Sequence, residues 1–372
     1  MKKLFASALS CFLALSVLAS CGGPSKEPPS SSSSPGTTAS AALPAGNADS
    51  YAQEPELNIS LISTFNTAET GGMCVQYFMD YITEATDGKI TFTPYFGGTM
   101  ASTPEELEYI SSGSVDMGMI SLNAHGDVIP LANIPTWFPA GMEAAVEIYN
   151  YVMYENEETA ALVRAQTEAA GVELLPSSIT GGSNAFFSTK KFSSLADFKG
   201  LKAGVISNFA AYETLGMATV TTFPPDAYEN LSRGVSDVAN MGVLASYAMR
   251  YHEVAPYVCY DGQYSVGNAV AVNLAFWKEL PTAYQELLKE AMAATKDYSI
   301  QICSEEEADI QKKMVEEGAN IITLSEQDKD IWFSCTYDAQ LEAARNTAKD
   351  AGAEEGMELM LAAMTEKLAE YE

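Results

Sequence analysis

Apolar positions recur along the chain in two alternating periods. Residues 57–63 (LNISLIS) form a short apolar run of strand length, and GMCVQYFMDYITEATDG follows with Cys74, Tyr77, Phe78, Tyr81, Ile82 and Ala85 at helical spacing and Gly88 as a stop. KITFTPYF then places Ile90, Phe92, Pro94 and Phe96 at the two-residue period of a strand. PEELEYISSG opens on Pro104 beside acidic residues, which suits the first turn and the positive end of a helix dipole, and SVDMGMISL returns to strand. DFKGLKAGVISN predicts a strand over 201–206 that feeds a helix opening near Asn208. Strands alternating with helices predict an α/β fold with mixed, mostly parallel sheets wrapped by helices.

A repeat divides this pattern. PEELEYISSGSVDMGMI (104–120) lies without a gap over PDAYENLSRGVSDVANM (225–241), sharing Pro104 and Pro225, Glu108 and Glu229, Ser111 and Ser232, Gly113 and Gly234, and Asp116 and Asp237. Each copy reads as helix, glycine stop, strand, and predicts two similar lobes. Residues 282–317 contain no proline or glycine. At ~1.5 Å per residue a continuous helix there reaches about 50 Å and spans both lobes; a break near Tyr298 to Glu307 is the alternative. Two further amphipathic helices, in DIWFSCTYDAQLEAARNTAKDAG and MELMLAAMTEKLAEY, end the chain.

The first residues break the α/β pattern. Lys2 and Lys3 precede LFASALSCFLALSVLAS, an export signal over 1–20, and LASC makes Cys21 the expected lipid-bearing residue. Residues 21–54, rich in Ser, Pro, Gly and Ala, read as a disordered lipidated tether. The expected location is therefore extracytoplasmic, with the chain held at the cell membrane by its lipid and exposed at the surface or in the periplasm. Twenty Lys and Arg stand against 49 Asp and Glu, a net charge of -29, which argues against a nucleic-acid partner and suits a solvated acidic surface. Cys74, Cys259, Cys303 and Cys335 are widely spread and read as buried thiols, with a Cys303–Cys335 bridge left open.

The segments FMDYITEATDGKITFTPYFGGTMASTPEELEYISSGSVDMGMISL, LADFKGLKAG, PDAYENLSRGVSD, YHEVAPYV and VNLAFWKELPTAYQELLKEA, in this order and spacing, resemble the extracytoplasmic solute-binding proteins of tripartite ATP-independent (TRAP) transporters, in the dicarboxylate-uptake branch. The resemblance implies a two-lobed periplasmic-binding-protein-like fold. Lobe I is expected over 55–176 and 264–300, and lobe II over 177–263 and 301–372. It also implies a hinged cleft that takes a small-molecule solute, a monomer that hands the solute to TRAP membrane permease subunits, no cofactor and no catalysis. In that family an arginine that clamps a carboxylate follows GLK by one residue, where this chain has Gly204, and a second arginine commonly stands where this chain has Asn184. Neither residue replaces the guanidinium charge, so the expected solute is neutral or weakly polar, with a ring a possibility left open. A carboxylate held by other cleft groups, and a surface lipoprotein outside transport, are the alternatives.

The expected ligand-binding residues are Asn66 and Thr67 after the first strand, Asn123 after the first repeat, Asn184, Gly204, Asn208 at a helix start, and Asn240 near the end of the second repeat, with Trp137, Phe186 and Tyr212 as ring-stacking surfaces. Asp226 is either a cleft acid or a helix-start residue, and Lys202 is the nearest remaining cation. An enzyme fares poorly as a reading. GGSNA (181–185) resembles a nucleophile elbow only faintly, and it has no clear helix after it. His125 and His252 stand apart and read as loop and helix surface, and no metal-ligand spacing or phosphate loop is present.

Overall fold

Strands buried on both faces carry apolar residues at successive positions, and the first of them shows this directly. Ile59 and Leu61 enter one core cluster while Ile62 enters another; Met117 and Met119 join the former and Ile120 the latter. The computed structural model describes residues 43–44, 48–67, 69–138, 141–206 and 208–371. The export signal, Cys21 and most of the expected tether lie outside the described residues. Within the described residues ten strands form one mixed sheet: β1 (Leu57–Ser63), β2 (Ile90–Tyr95), β3 (Met117–Ser121), β4 (Trp137–Phe138), β5 (Val172–Ser188), β6 (Lys202–Val205), β7 (Ala218–Thr221), β8 (Val238–Gly242), β9 (Tyr257–Asn273) and β10 (Asn320–Ile321). Their order is β2-β1-β3-β9-β5-β8-β6-β7, with β4 and β10 paired to β9.

The order has an internal symmetry. β1 runs parallel to β2 and β3, and β3 runs antiparallel to β9; β6 runs parallel to β7 and β8, and β8 runs antiparallel to β5. This is the two-lobed, mostly parallel α/β arrangement that the sequence predicts. β5 and β9, 17 residues each, pair with one another from Val172↔Asn273 to Ser188↔Tyr257 and so run through both lobes. Their register shifts repeatedly between Leu174 and Ala185.

Both repeat copies fold alike. Helices Glu106–Ser111 and Pro224–Ser232 are followed by Gly113 and Gly234 at φ +74 and +69, a left-handed geometry that only glycine adopts freely, and then by β3 and β8. The shared aspartate has one job in both. Asp116 Oδ2 accepts from the Ser60 backbone N–H at 2.7 Å in β1, and Asp237 Oδ2 accepts from the Lys202 backbone N–H at 3.0 Å in β6. Each acid ties its own repeat to the central parallel strand of its lobe.

The long helix is unbroken over Thr282–Glu316. Leu287, Leu288 and Met292 pack with β1 and β3 residues of the first lobe, and Cys303, Ile310 and Met314 pack with Ala185, Phe187 and Ala239 of the second. The two helices that follow do not both stay with lobe II. Helix Glu326–Ala351 places Trp332 in the second-lobe core, but its Ala344 and Ala348 reach a first-lobe cluster. Gly352, at φ +66, then turns the chain into helix Glu354–Leu368, whose Met357, Met360, Leu361 and Met364 pack with Ile148 and Leu131. The physical reason is length: a 26-residue helix is long enough to carry the chain back across the molecule.

Burial bears on three smaller points, of which the first and last differ from the sequence reading. Residues Ala48–Tyr51 already form a short 3-10 turn, the Tyr51 ring lies 5.8 Å from that of Tyr284, and Lys89 Nζ donates to the carbonyls of Tyr51, Ala52 and Glu54, so order begins ahead of residue 54. Cys74, Cys259 and Cys303 are buried free thiols, as the sequence reads, and Cys335 is a half-buried one, without the Cys303–Cys335 bridge. His125 and His252 are buried rather than on the surface, facing Glu106 and Glu317 at 3.8 and 2.6 Å.

If the two aspartates are equivalent ties, Asp116→Ala and Asp237→Ala should each lower unfolding stability by about 1–3 kcal/mol, because each leaves a strand N–H without its acceptor. Urea denaturation of the two variants measures this; a loss in one and none in the other would contradict the equivalence.

Candidate functional site

Where the β5–β9 pair changes register, the sheet opens into a cavity of about 280 Å³. Both lobes line it. β5 contributes Gly181 and Asn184, β8 contributes Asn240, Met241 and Gly242, and β9 contributes Ser265 and Asn268. Phe65, Ser121 and Trp137 close one side; Val205, Ile206, Tyr212, Pro224, Ser246 and Tyr251 close the other. No Lys, Arg, His, Asp or Glu lines it among the described residues. A larger groove of about 490 Å³, which holds Arg164, Glu168, Glu173 and Lys289, belongs to the first lobe alone and does not lie between the two.

Bonds behind the lining fix its polar groups. Asn240 Nδ2 donates to Asp261 Oδ2 at 2.9 Å, Trp332 Nε1 donates to the same oxygen at 3.2 Å, and the Gln263 backbone N–H donates to Asp261 Oδ1 at 2.9 Å. Burial pushes the Asp261 carboxyl up to about 6, against the lowering effect of these donors. On β5, Ser183 donates from its backbone N–H to Glu307 Oε1 at 2.6 Å and from its hydroxyl to Glu307 Oε2, so the long helix holds the residue next to Asn184. Burial raises the Glu307 carboxyl as well. Ser121 Oγ donates to Asn268 Oδ1 at 2.7 Å, joining β3 to β9.

Against this well-bonded background, three buried polar atoms of the lining have no hydrogen-bond partner: Asn184 Nδ2, Asn240 Oδ1 and the Tyr212 hydroxyl. A buried polar group left unmet costs about 1–3 kcal/mol, and all three sit on residues that line the cavity. The Tyr212 ring packs against Trp332 at 5.1 Å and 62°, and burial holds its phenol well above the usual range, hence neutral. The site can bind and orient a small molecule of mixed apolar and neutral polar character.

Of the residues expected from the sequence, the structure brings Trp137, Asn184, Tyr212 and Asn240 to this cavity. Asn66 and Thr67 are exposed on the loop after β1, and their neighbour Phe65 lines the cavity instead. Asn123 is exposed in the turn Leu122–His125, two residues past Ser121. Phe186 lies two residues along β5 from Asn184 and opposite Asn240, on the same face, but its ring packs 4.9 Å from both Phe198 and Trp332 and is core rather than lining. Asn208 sits at φ +55 as the residue before helix Phe209–Thr214, and Asp226 is an exposed acid in the first turn of helix Pro224–Ser232. Gly204 faces away: a Cβ there would lie 2.9 Å from Thr222 Oγ1 and 3.0 Å from Ser236 Oγ. Lys202 is taken up structurally, its ammonium donating to the Gly234 carbonyl. Phe65, Ser121, Tyr251 and Asn268 were not expected; the one sequence signal for Asn268 was its neighbour Gly267, which has φ +110 within β9. Among the described residues no group of His, Cys, Asp and Glu is arranged to hold a metal, and no helix is long and apolar enough to cross a membrane.

The family profile described as bacterial extracellular solute-binding protein, family 7, matches residues 64–344. The chain is similar to a monocarboxylate 2-oxoacid-binding periplasmic protein of Nostoc sp., 26% identical over 56% of this chain and 58% of that protein. It is also similar to an ectoine/5-hydroxyectoine-binding periplasmic protein of Ruegeria pomeroyi, 24% identical over 62% of this chain and 67% of that protein. In the first of these the match thus spans less than two thirds of the relative's length. Among solved structures, a TRAP periplasmic solute-binding protein of Desulfovibrio salexigens with bound orotic acid superposes with a TM-score of 0.71 at 16% identity, over 85% of this chain and 99% of that one.

Two substitutions probe the site. Tyr212→Phe removes a buried hydroxyl without a protein partner, so it should raise the unfolding stability of the empty protein by about 1 kcal/mol, read by urea denaturation; a loss of stability would mean that the hydroxyl is already satisfied. Gly204→Arg should lower stability by about 1–3 kcal/mol through overpacking and confer no affinity for carboxylic acids; acid binding gained in a titration of that variant would place position 204 in the site after all.

Proposed function

Because the chain belongs to family 7 of the bacterial extracellular solute-binding proteins, we propose that it is the receptor of a TRAP-type secondary transporter, which captures a small organic solute between its lobes and delivers it to the membrane permease. In this reading the chain is a monomer held at the membrane by lipid on Cys21 and reaches its solute through the 21–54 tether. The lobes meet along β5 and β9, and closure around the solute follows from contacts made on both walls at once. The solute is neutral or weakly polar and can contain a ring.

One observation carries the choice of solute. The cavity has no charged lining residue among those described, and three of its buried neutral polar atoms lack partners. A carboxylate buried there would have no cation to offset its desolvation, a cost of several kcal/mol. Phe65, Trp137 and Tyr251 supply flat apolar surface for the solute's body. The relatives' solutes, a monocarboxylate 2-oxoacid in one and ectoine in the other, both carry a carboxylate, so the neutral reading rests on the lining and not on them.

A thermal-shift screen of the protein against acids, sugars, polyols, nucleosides and neutral ring compounds tests this. A neutral solute at a hundred-fold excess over its Kd should stabilise the fold by about 2.7 kcal/mol. Stabilisation by simple carboxylates and by nothing else would overturn the neutral-solute reading.

A further inference from the structure

We propose that Asp261 is a positioning residue that dictates which hydrogen-bonding group a solute must bring to the cavity. The inference rests on the cavity being the solute site, and it narrows the solute from neutral to neutral with a hydrogen-bond donor.

Asp261 is 1% exposed and lies behind the lining rather than in it. An ionised carboxylate only accepts, so the end of the Asn240 amide turned toward it has to be the amino end, and Nδ2 lies 2.9 Å away. Bonds from Trp332 Nε1 and the Gln263 backbone hold the carboxylate in its own plane. Asn240 cannot turn over without setting its carbonyl oxygen against a carboxylate oxygen. The carbonyl oxygen is therefore the end turned away from Asp261, on a residue that lines the cavity, and it is buried and without a partner. An asparagine free to turn over serves donors and acceptors alike; one held this way serves donors alone. Asn184 offers the complementary atom, an unpartnered Nδ2. A solute that carries a donor and an acceptor on an apolar body, as a cyclic amide does, meets both.

The lock lasts as long as Asp261 is ionised. The titratable groups that sense it are Tyr212, from helix Phe209–Thr214, and Cys259 and Tyr264, on its own strand. Burial raises all three, so they are neutral at mild acidity and supply no charge. Helix Glu326–Ala351 adds the neutral Trp332 indole, and its Asp328 and Lys329 act on Cys259. β8 adds only the Asn240 amide. Above about pH 6 the carboxylate fixes Asn240; below it the carboxyl carries a proton of its own to donate, and the amide is no longer held one way round.

The test compares 2-piperidone, which has an N–H donor and a carbonyl, with N-methyl-2-piperidone, which lacks the donor. Binding of each to the purified protein is measured by titration calorimetry. Near neutral pH the wild type should prefer the N–H compound roughly ten-fold or more, since the methylated one leaves Asn240 Oδ1 unmet. The preference should shrink to within about two-fold in Asp261→Ser and, in the wild type, as pH falls through the Asp261 titration. The wild-type pH series stands on its own if the variant does not fold. Equal binding of the two compounds near neutral pH, or a preference that persists in acid, overturns the role of Asp261 and leaves the neutral site intact. Neither compound bound at millimolar concentration, with acetate or succinate bound instead, overturns the neutral site and this inference together.

Discussion

One pair of strands has to serve two lobes, and most of the architecture follows from that. β5 and β9 are each 17 residues long and are the only neighbours that link β3 on one side to β8 on the other in the strand order. A regular antiparallel ladder of that length would be a stiff twisted ribbon with its backbone groups closed off. The register shifts between Leu174 and Ala185, together with the positive φ of Gly182 and Gly267, break the ladder at its middle. The break turns Asn184 and Asn268 toward a shared space instead of toward a packed core. The long helix Thr282–Glu316 crosses at the same place and ties β5 down through Glu307 and Ser183. The proposed hinge and the proposed site thus have a single structural origin.

Electrostatics reinforces this layout. A chain with net charge -29 exposes most of its acids, and an anion approaching it in weakly screened solution meets repulsion. Within the fold, acids are kept one layer behind the cavity. Asp261 is buried and Glu307 half-buried; burial raises both, and both spend their oxygens on donors that hold a neighbour in place. The cavity therefore receives the geometric effect of these charges without displaying them.

The lobes, the repeat and the long helix were legible in the sequence because each has a period or an absence that a reader can see: strand runs at 57–63 and 90–95, paired glycines at 113 and 234, and a helix free of proline and glycine over 282–316. β5 and β9 were not legible at full length. Pro176, Gly181, Gly182, Gly262 and Gly267 interrupt them, and such residues read as loop unless the partner strand is known. The same gap explains the mixed outcome for the site. Asn184, Asn240, Tyr212 and Trp137 were reachable from the order of motifs, whereas Ser121 and Asn268 meet only through the register of β3 on β9. Gly204 lies outside this cavity, and its direction could not be read beforehand because the facing of a side chain on a four-residue strand depends on the parity of its pairing, which no spacing rule supplies.

The division of labour across the cavity bears on how such a receptor closes. The unpartnered polar atoms, on Asn184, Asn240 and Tyr212, all belong to the second lobe, on residues or next to residues that Asp261, Glu307 and Trp332 hold without a solute present. The first lobe presents Phe65 and the Ser121–Asn268 pair, which is already bonded to itself, and the Trp137 ring, which also packs on the second-lobe core. In the proposed mode of binding the solute's polar edge is read first, by the preorganised second lobe, and little ordering cost remains for that step. Closure then adds apolar contact from the first lobe, which is non-directional and tolerant of small shifts in hinge angle. Selection by hydrogen bonds and retention by apolar cover are thereby assigned to different lobes, and the register break in β5 and β9 is the place where the two can be coupled.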